Sequence, residues 1–166
     1  MTPRKALRAV LVPKEVVAHS EAVAKRAVRF ARVLKKRGVK VDAGLVTDGA
    51  LLHDIGRVKT HGLRHGYVGG QMLRGLGFGK KIARIAEVHV AAGISGTEAK
   101  RLGLPARDFL PESVEEKLVW YADKLSDKGK VGRIIAHCGK KSRMAARMKR
   151  LLAEMELVFS KPSPDL

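Results

Sequence analysis

The stretch Ala50-Leu51-Leu52-His53-Asp54-Ile55-Gly56-Arg57 sets an imidazole beside a carboxylate after an apolar, helix-like run, then adds a glycine and a cation. Adjacent helical positions point about 100° apart, so His53 and Asp54 can address one small object at the helix edge from two directions. A metal ion is such an object. Mixed nitrogen and oxygen ligation suits a first-row divalent cation better than calcium, which prefers oxygens alone. A lone His-Asp pair arises by chance. Its weight here comes from His19 upstream, His65 and His89 between, and Asp123 downstream, each in a helix-like context.

The elements that must carry these residues are helical. Over residues 14–37, Val16, Ser20, Val23, Ala27, Phe30, Ala31 and Leu34 follow helical spacing, with His19 on the same inward face and Gly38 as the stop. Asp42 caps a second helix expected to run through Ile55, followed by a link over 57–64 that holds His61. A third helix over 65–76 is rich in glycine, which implies close backbone packing or local mobility. A fourth over 80–91 aligns Ile82, Ile85, Ala86 and His89. A short turn over 97–102 precedes a fifth helix over 113–125, opened by the Ser113/Glu116 capping box and carrying Asp123. The last helical region, 131–159, is interrupted near Gly139. Met144, Met148, Leu151, Leu152 and Met155 give it an inward face, and Lys140, Arg143, Arg147 and Arg150 a basic stripe. Residues 1–12 read as a basic lead-in. No β alternation, internal repeat or linker emerges. The fold class is all-α, in one domain over 1–160 whose 130–160 portion is a basic C-terminal helical extension, with a disordered tail over 161–166.

Composition bounds the partners. Thirty-four Lys and Arg against 16 Asp and Glu give a net charge of +18, which favours polyanions or a plain solvated basic surface. Aromatics are only 4%, too few for a base-stacking platform. One cysteine, Cys138, excludes an internal disulfide framework and fits a reducing compartment; it reads as an inert buried thiol. No apolar run approaches the roughly 18 residues of a membrane span, nor a secretory h-region, so the expected location is cytoplasmic.

Five segments in order carry a resemblance: His19-Ser20-Glu21-Ala22-Val23-Ala24, Leu51 to Arg57, His65-Gly66-Tyr67-Val68-Gly69-Gly70, His89-Val90-Ala91-Ala92-Gly93, and Tyr121-Ala122-Asp123-Lys124-Leu125. Together they resemble the HD-domain superfamily of metal-dependent phosphohydrolases, a family of helical bundles. The resemblance implies that His19, His53, Asp54 and Asp123 ligate a primary metal. It implies that His65 and His89 serve a second ion, with Asp54 bridging the two. Arg57 stands where the family often places a cation on phosphate, so Asp54 and Arg57 are the implied catalytic residues. His61 and Lys124 join Arg57 as weaker candidates for substrate binding. The implied cofactor is one or two divalent ions of manganese, iron, cobalt, nickel or zinc. The implied substrate is a phosphorylated small molecule, a nucleotide above others, cleaved at a phosphoester or phosphoanhydride by metal-activated water.

Taken singly, these residues have plainer readings. His19 or His89 alone reads as a hydrogen-bonded core histidine, Asp123 as a surface carboxylate paired with lysine, and Arg57 as a helix C-terminal charge. The alternative for the whole chain is a non-catalytic module that binds a nucleotide, or grips nucleic acid through its basic C-terminal helix. The sequence leaves the substrate, the choice of metal and the oligomeric state open.

Overall fold

The computed structural model describes residues 1–127 and 129–160. Among these, nine α-helices and one 3₁₀ turn account for the regular structure, in the order α1 (Pro3–Ala9), α2 (Lys14–Lys36), α3 (Ala43–Leu52), the turn (Ile55–Val58), α4 (His65–Gly75), α5 (Lys80–Val88), α6 (Gly96–Arg101), α7 (Val114–Lys124), α8 (Lys130–Cys138) and α9 (Arg143–Ser160). The all-α class holds, with only isolated bridges such as Ile94 to Phe109 between loop segments. The tail over 161–166 lies outside the described residues.

The long helix α2 packs along α3 and α7, and α3 in turn lies against α5. Small side chains at Ala24, Ala27 and Ala31 bring α2 close to its neighbours, and Val23, Val46, Ile85, Leu118 and Trp120 fill the space between. Met144, Met148, Leu151 and Met155 add one face of α9 to the same core. A second apolar cluster joins Ala6 and Leu7 to Leu52, Ile55, Leu73, Ala83 and Ala86. The lead-in is therefore a helix. Thr2 caps α1 by accepting from Lys5 N at 3.4 Å, and only two of its seven residues are buried, too few to show as a period in sequence.

Two helices end earlier than their periodicity suggests, and both endings serve the histidines. α3 stops at Leu52, and His53 and Asp54 form the corner into the 3₁₀ turn. That corner crosses α4 backbone to backbone: a Cβ on Gly56 would stand 2.0 Å from His65 O and 2.6 Å from Gly69 N. Similarly, α5 stops at Val88, His89 caps it, and Ala91 follows with a positive φ of 50°. The buried glycines of α4 thus reflect close packing, because Gly66 abuts Ala86 O and Gly70 abuts Glu87. Asp42 does cap α3, accepting from Leu45 N at 2.9 Å, and the Ser113/Glu116 capping box opens α7.

The C-terminal region is two helices, broken by Gly139 at φ +87°. The basic stripe expected there does not exist as one face. Lys140 precedes α9, and Arg147 is folded inward. Its guanidinium donates to Ala92 O (3.0 Å), to Gly93 O (2.9 Å) and to the Glu98 carboxylate (2.7 Å). Arg147 is therefore a bolt holding α9 to the loop that follows His89. A similar brace ties α4 and α5, where the buried Glu87 carboxylate accepts from Arg74 (2.7 Å) and Arg107 (3.2 Å).

Candidate metal centre and its cleft

Six predicted ligands converge from five elements. His19 comes from the second turn of α2, His53 and Asp54 from the corner after α3, His65 from the start of α4, His89 from the end of α5, and Asp123 from the last turn of α7. All but the half-buried His19 are buried.

Asp54 stands at the centre. Its Oδ1 lies 3.1 Å from His65 Nε2 and 3.2 Å from His89 Nε2, while its Oδ2 lies 3.7 Å from His53 Nε2 and 3.8 Å from His19 Nε2. Asp123 Oδ1 closes the second side, 3.0 Å from His19 Nε2 and 3.6 Å from His53 Nε2. Two groups that could hold a metal result: His19, His53 and Asp54, and Asp54, His65 and His89. They share Asp54.

The orientation of the rings is set by the backbone. His53, His65 and His89 each place Nδ1 at 2.7 Å from a carbonyl three residues back, that of Ala50, Gly62 and Ala86 respectively. Donation of Nδ1–H to a carbonyl fixes the tautomer and turns the Nε2 lone pair toward the centre, the usual outer support of a metal-binding imidazole. Two consequences test whether a cation belongs here. His53 Nε2 is buried without a hydrogen-bond partner. His65 Nε2 and His89 Nε2 face one another at 3.1 Å, an arrangement of two lone pairs that needs a proton or a cation between them. The residues present fit a divalent metal.

The charges agree with that fit. Burial pushes the Asp54 carboxyl up, but the charge of His53 and the contacts with His65 and His89 outweigh it and hold Asp54 well below the usual carboxylate range. Asp123 behaves likewise: burial raises it, and Lys124, His19 and His53 bring it far down. Burial, the largest influence on His89, drives its imidazole down to about 3, so that ring is neutral near pH 7 and free to ligate. His53 goes the other way, because Asp54 and Asp123 together outweigh its burial.

His65, His89 and Asp123 line a cleft of about 450 Å³, and His19 and Asp54 open onto a second of about 400 Å³ that shares Arg57, His61 and Lys130 with it. Arg57, 28% exposed, donates from Nε to Asp54 Oδ2 at 2.7 Å and reaches the rim; its contact is to the carboxylate and not to its helix end. His61 is exposed on the same rim. Lys124 is buried, its ammonium donating to Asp123 Oδ2 (2.6 Å) and His89 O (2.8 Å), so it braces the ligands from behind while its side chain lines the wall. Cys138 stays out of the cleft lining, with its Sγ 3.1 Å from Met144 Sδ.

Four cleft residues were not singled out from sequence: Lys130, Arg133, Ile134 and His137, all on α8. Lys130 donates to Asp123 Oδ1 at 2.5 Å, the oxygen that also faces His19. Their positions at i, i+3, i+4 and i+7, starting seven residues after Asp123, put them on one helical face, a pattern that does not by itself mark a site in so basic a chain.

A family model described as the HD domain matches residues 16–128. The chain belongs to the HD-domain family. HD domains bind divalent metals and form a phosphohydrolase superfamily, and the two clusters on Asp54 are where this chain could hold them. An uncharacterized protein of Methanocaldococcus jannaschii is 51% identical over 115 residues, covering 69% of this chain and 68% of that protein. The tRNA (cytidine(56)-2'-O)-methyltransferases of Picrophilus torridus and Thermoplasma volcanium are 44% and 41% identical over 110 residues. Those matches cover 66% of this chain but only 31% of each methyltransferase, so the chain spans about a third of their length. Among solved structures, the HD domain of the L. monocytogenes phosphodiesterase PgpH in complex with cyclic-di-AMP superposes with a TM-score of 0.54 at 16% identity, covering 95% of this chain and 97% of that one. That likeness is one of fold. Among the described residues, no helix is long and apolar enough to cross a membrane.

Proposed function

We propose that this HD domain hydrolyses a phosphoester or phosphoanhydride bond in a nucleotide-like substrate, using divalent transition metal held by His19, His53, Asp54 and Asp123 on one side and by Asp54, His65 and His89 on the other. The observation that carries the reading is Asp54, which offers one carboxylate oxygen to each set of imidazoles and opens, with His19, onto a cleft lined by Arg57 and Lys130. When bound, such ions supply Lewis acidity toward a phosphoryl oxygen. Manganese, iron, cobalt, nickel and zinc all accept this donor set.

The chain's own residues do the remainder. The carbonyls of Ala50, Gly62 and Ala86 hold the rings in place before any ligand arrives, and Lys124 fixes Asp123. Arg57 neutralises a phosphate oxygen while remaining anchored to Asp54. Leu63, Val90 and Ile134 form an apolar flank suited to a sugar or base. The net charge of +18 draws anions toward the cleft. We take α8 and α9 as part of the same domain, since Met144 and Met148 bury in the core that α2 and α7 build.

The test pairs metal analysis of the purified protein with turnover of nucleotides, dinucleoside polyphosphates, cyclic dinucleotides, generic phosphoesters and tRNA. Metal-dependent hydrolysis of at least one class, abolished in Asp54→Ala, is expected. Full metal occupancy with no turnover of any class would contradict the hydrolase reading. It would favour a second reading, a non-catalytic module that binds RNA, which the names of the two methyltransferase relatives recommend.

A further inference from the structure

The cations around the cleft outnumber what one scissile phosphate needs. Arg57 already serves the phosphoryl position beside Asp54. Lys130, Arg133 and His137 stand on α8, which begins after the matched family segment ends at residue 128, and none of them supports the core. At 1.5 Å rise per residue, Arg133 lies about 4.5 Å and His137 about 10 Å along the axis from Lys130. The row therefore starts on Asp123 and runs along the wall of the cleft.

α8 is also built as a separate piece. No residue of it is fully buried, and it packs mainly against α9. Glycines with positive φ bound it, Gly129 at 89° and Gly139 at 87°. Its apolar residues Val131 and Ile135 pack toward the core, while Ile134 shares the cleft-facing side with Lys130, Arg133 and His137. Arg133 pairs with the exposed Asp127, an ion pair of little strength that a phosphate can displace.

From this arrangement we propose that α8 forms a second anion subsite, with Lys130, Arg133 and His137 holding a further phosphate group of the substrate. The substrate class is then a nucleotide with at least two phosphates, one at the metal centre and one along α8. The proposal deepens the hydrolase reading and rests on the same cleft, but its test does not need turnover.

The experiment measures equilibrium binding of adenosine 5′-monophosphate and of the non-hydrolysable α,β-methylene analogue of adenosine diphosphate to the manganese-loaded protein, with metal content assayed before and after. The base is common to both ligands, so the ratio of affinities reports the second phosphate. The analogue should bind at least about tenfold more tightly than the monophosphate. In Arg133→Gln/His137→Gln that advantage should fall to within twofold, with monophosphate affinity, metal content and helicity unchanged. Equal affinities in the wild type, absence of binding by either ligand, or an advantage that survives in the double variant would each overturn the subsite. A preserved preference without hydrolysis of any phosphoester or phosphoanhydride would instead remove the hydrolase reading and leave the subsite standing.

Discussion

Each of His53, His65 and His89 gives its Nδ1 to a carbonyl three residues back, so the chemistry of the centre is decided by Nε2 lone pairs that have few partners other than each other and two carboxylates. Removing a ligand should therefore be felt first in metal retention. His53→Ala or Asp54→Ala should lower metal affinity by about 100-fold or more and abolish turnover, with helical circular dichroism preserved. Full occupancy in both variants would show that the pair holds no ion. Lys130 makes the opposite prediction. Its ammonium occupies Asp123 Oδ1, which an ion between His19 and Asp123 must reclaim. Lys130→Met should tighten metal binding by about tenfold in calorimetry; a weaker affinity would mean that the lysine supports the site. The metal must also displace a proton. His53 sits above the ordinary imidazole value because Asp54 and Asp123 outweigh its burial, so the metal-free ring is protonated below that raised value. Titrations in buffers of different ionisation enthalpy should show close to one proton released from His53 per metal-loaded chain near pH 6, with the release vanishing as pH rises past the raised value. Release that grows with pH would reverse the assignment.

At the scale of elements, the centre depends on helices that stop on time. The pattern over 42–55 is apolar through Ile55, and nothing in it marks Leu52 as the end, because the cause is a distant partner: the corner at Gly56 lies against α4 with no room for a side chain. Gly56→Ala should destabilise the fold by about 3 kcal/mol or more and reduce metal affinity with it, whereas the same change at the exposed Gly75, where a Cβ meets nothing, should be neutral or slightly stabilising. Comparable thermal midpoints for the two variants would mean that the crossing has slack. The inward turn of Arg147 was likewise hidden, since a helical spacing of cations looks the same whether a side chain meets solvent or a carbonyl. Arg147→Ala leaves Ala92 O and Gly93 O without this donor and should cost about 1–3 kcal/mol, enough to increase hydrogen exchange in α9. What sequence did reveal at this scale are the features whose cause is local: the Asp42 cap, the Ser113/Glu116 box, the Gly139 break and the methionine face of α9.

For the whole molecule, the convergence of His19, His65, His89 and Asp123 on His53-Asp54 was legible because a fixed order of candidate ligands on amphipathic helices is a one-dimensional record of a three-dimensional cluster. The α8 wall was not legible, since basic residues are common throughout a chain of charge +18 and only the folded cleft distinguishes Lys130 and Arg133 from the others. That charge has its own consequence. With the expected C-terminal stripe dismantled by Arg147, binding of arbitrary RNA should rest on dispersed charge, be weaker than micromolar at physiological salt, and fall steeply as salt is raised. Submicromolar binding that survives physiological salt would point to a built nucleic-acid surface. Asp54 is the shared member of the two groups that could hold a metal. The most direct measurement is anomalous diffraction at the manganese edge from crystals grown with manganese. Two peaks flanking the Asp54 carboxylate are predicted, one among His19, His53 and Asp123 and the other between His65 and His89; a single peak would contradict the bridging role, and no peak beside Asp54 would contradict the metal centre itself.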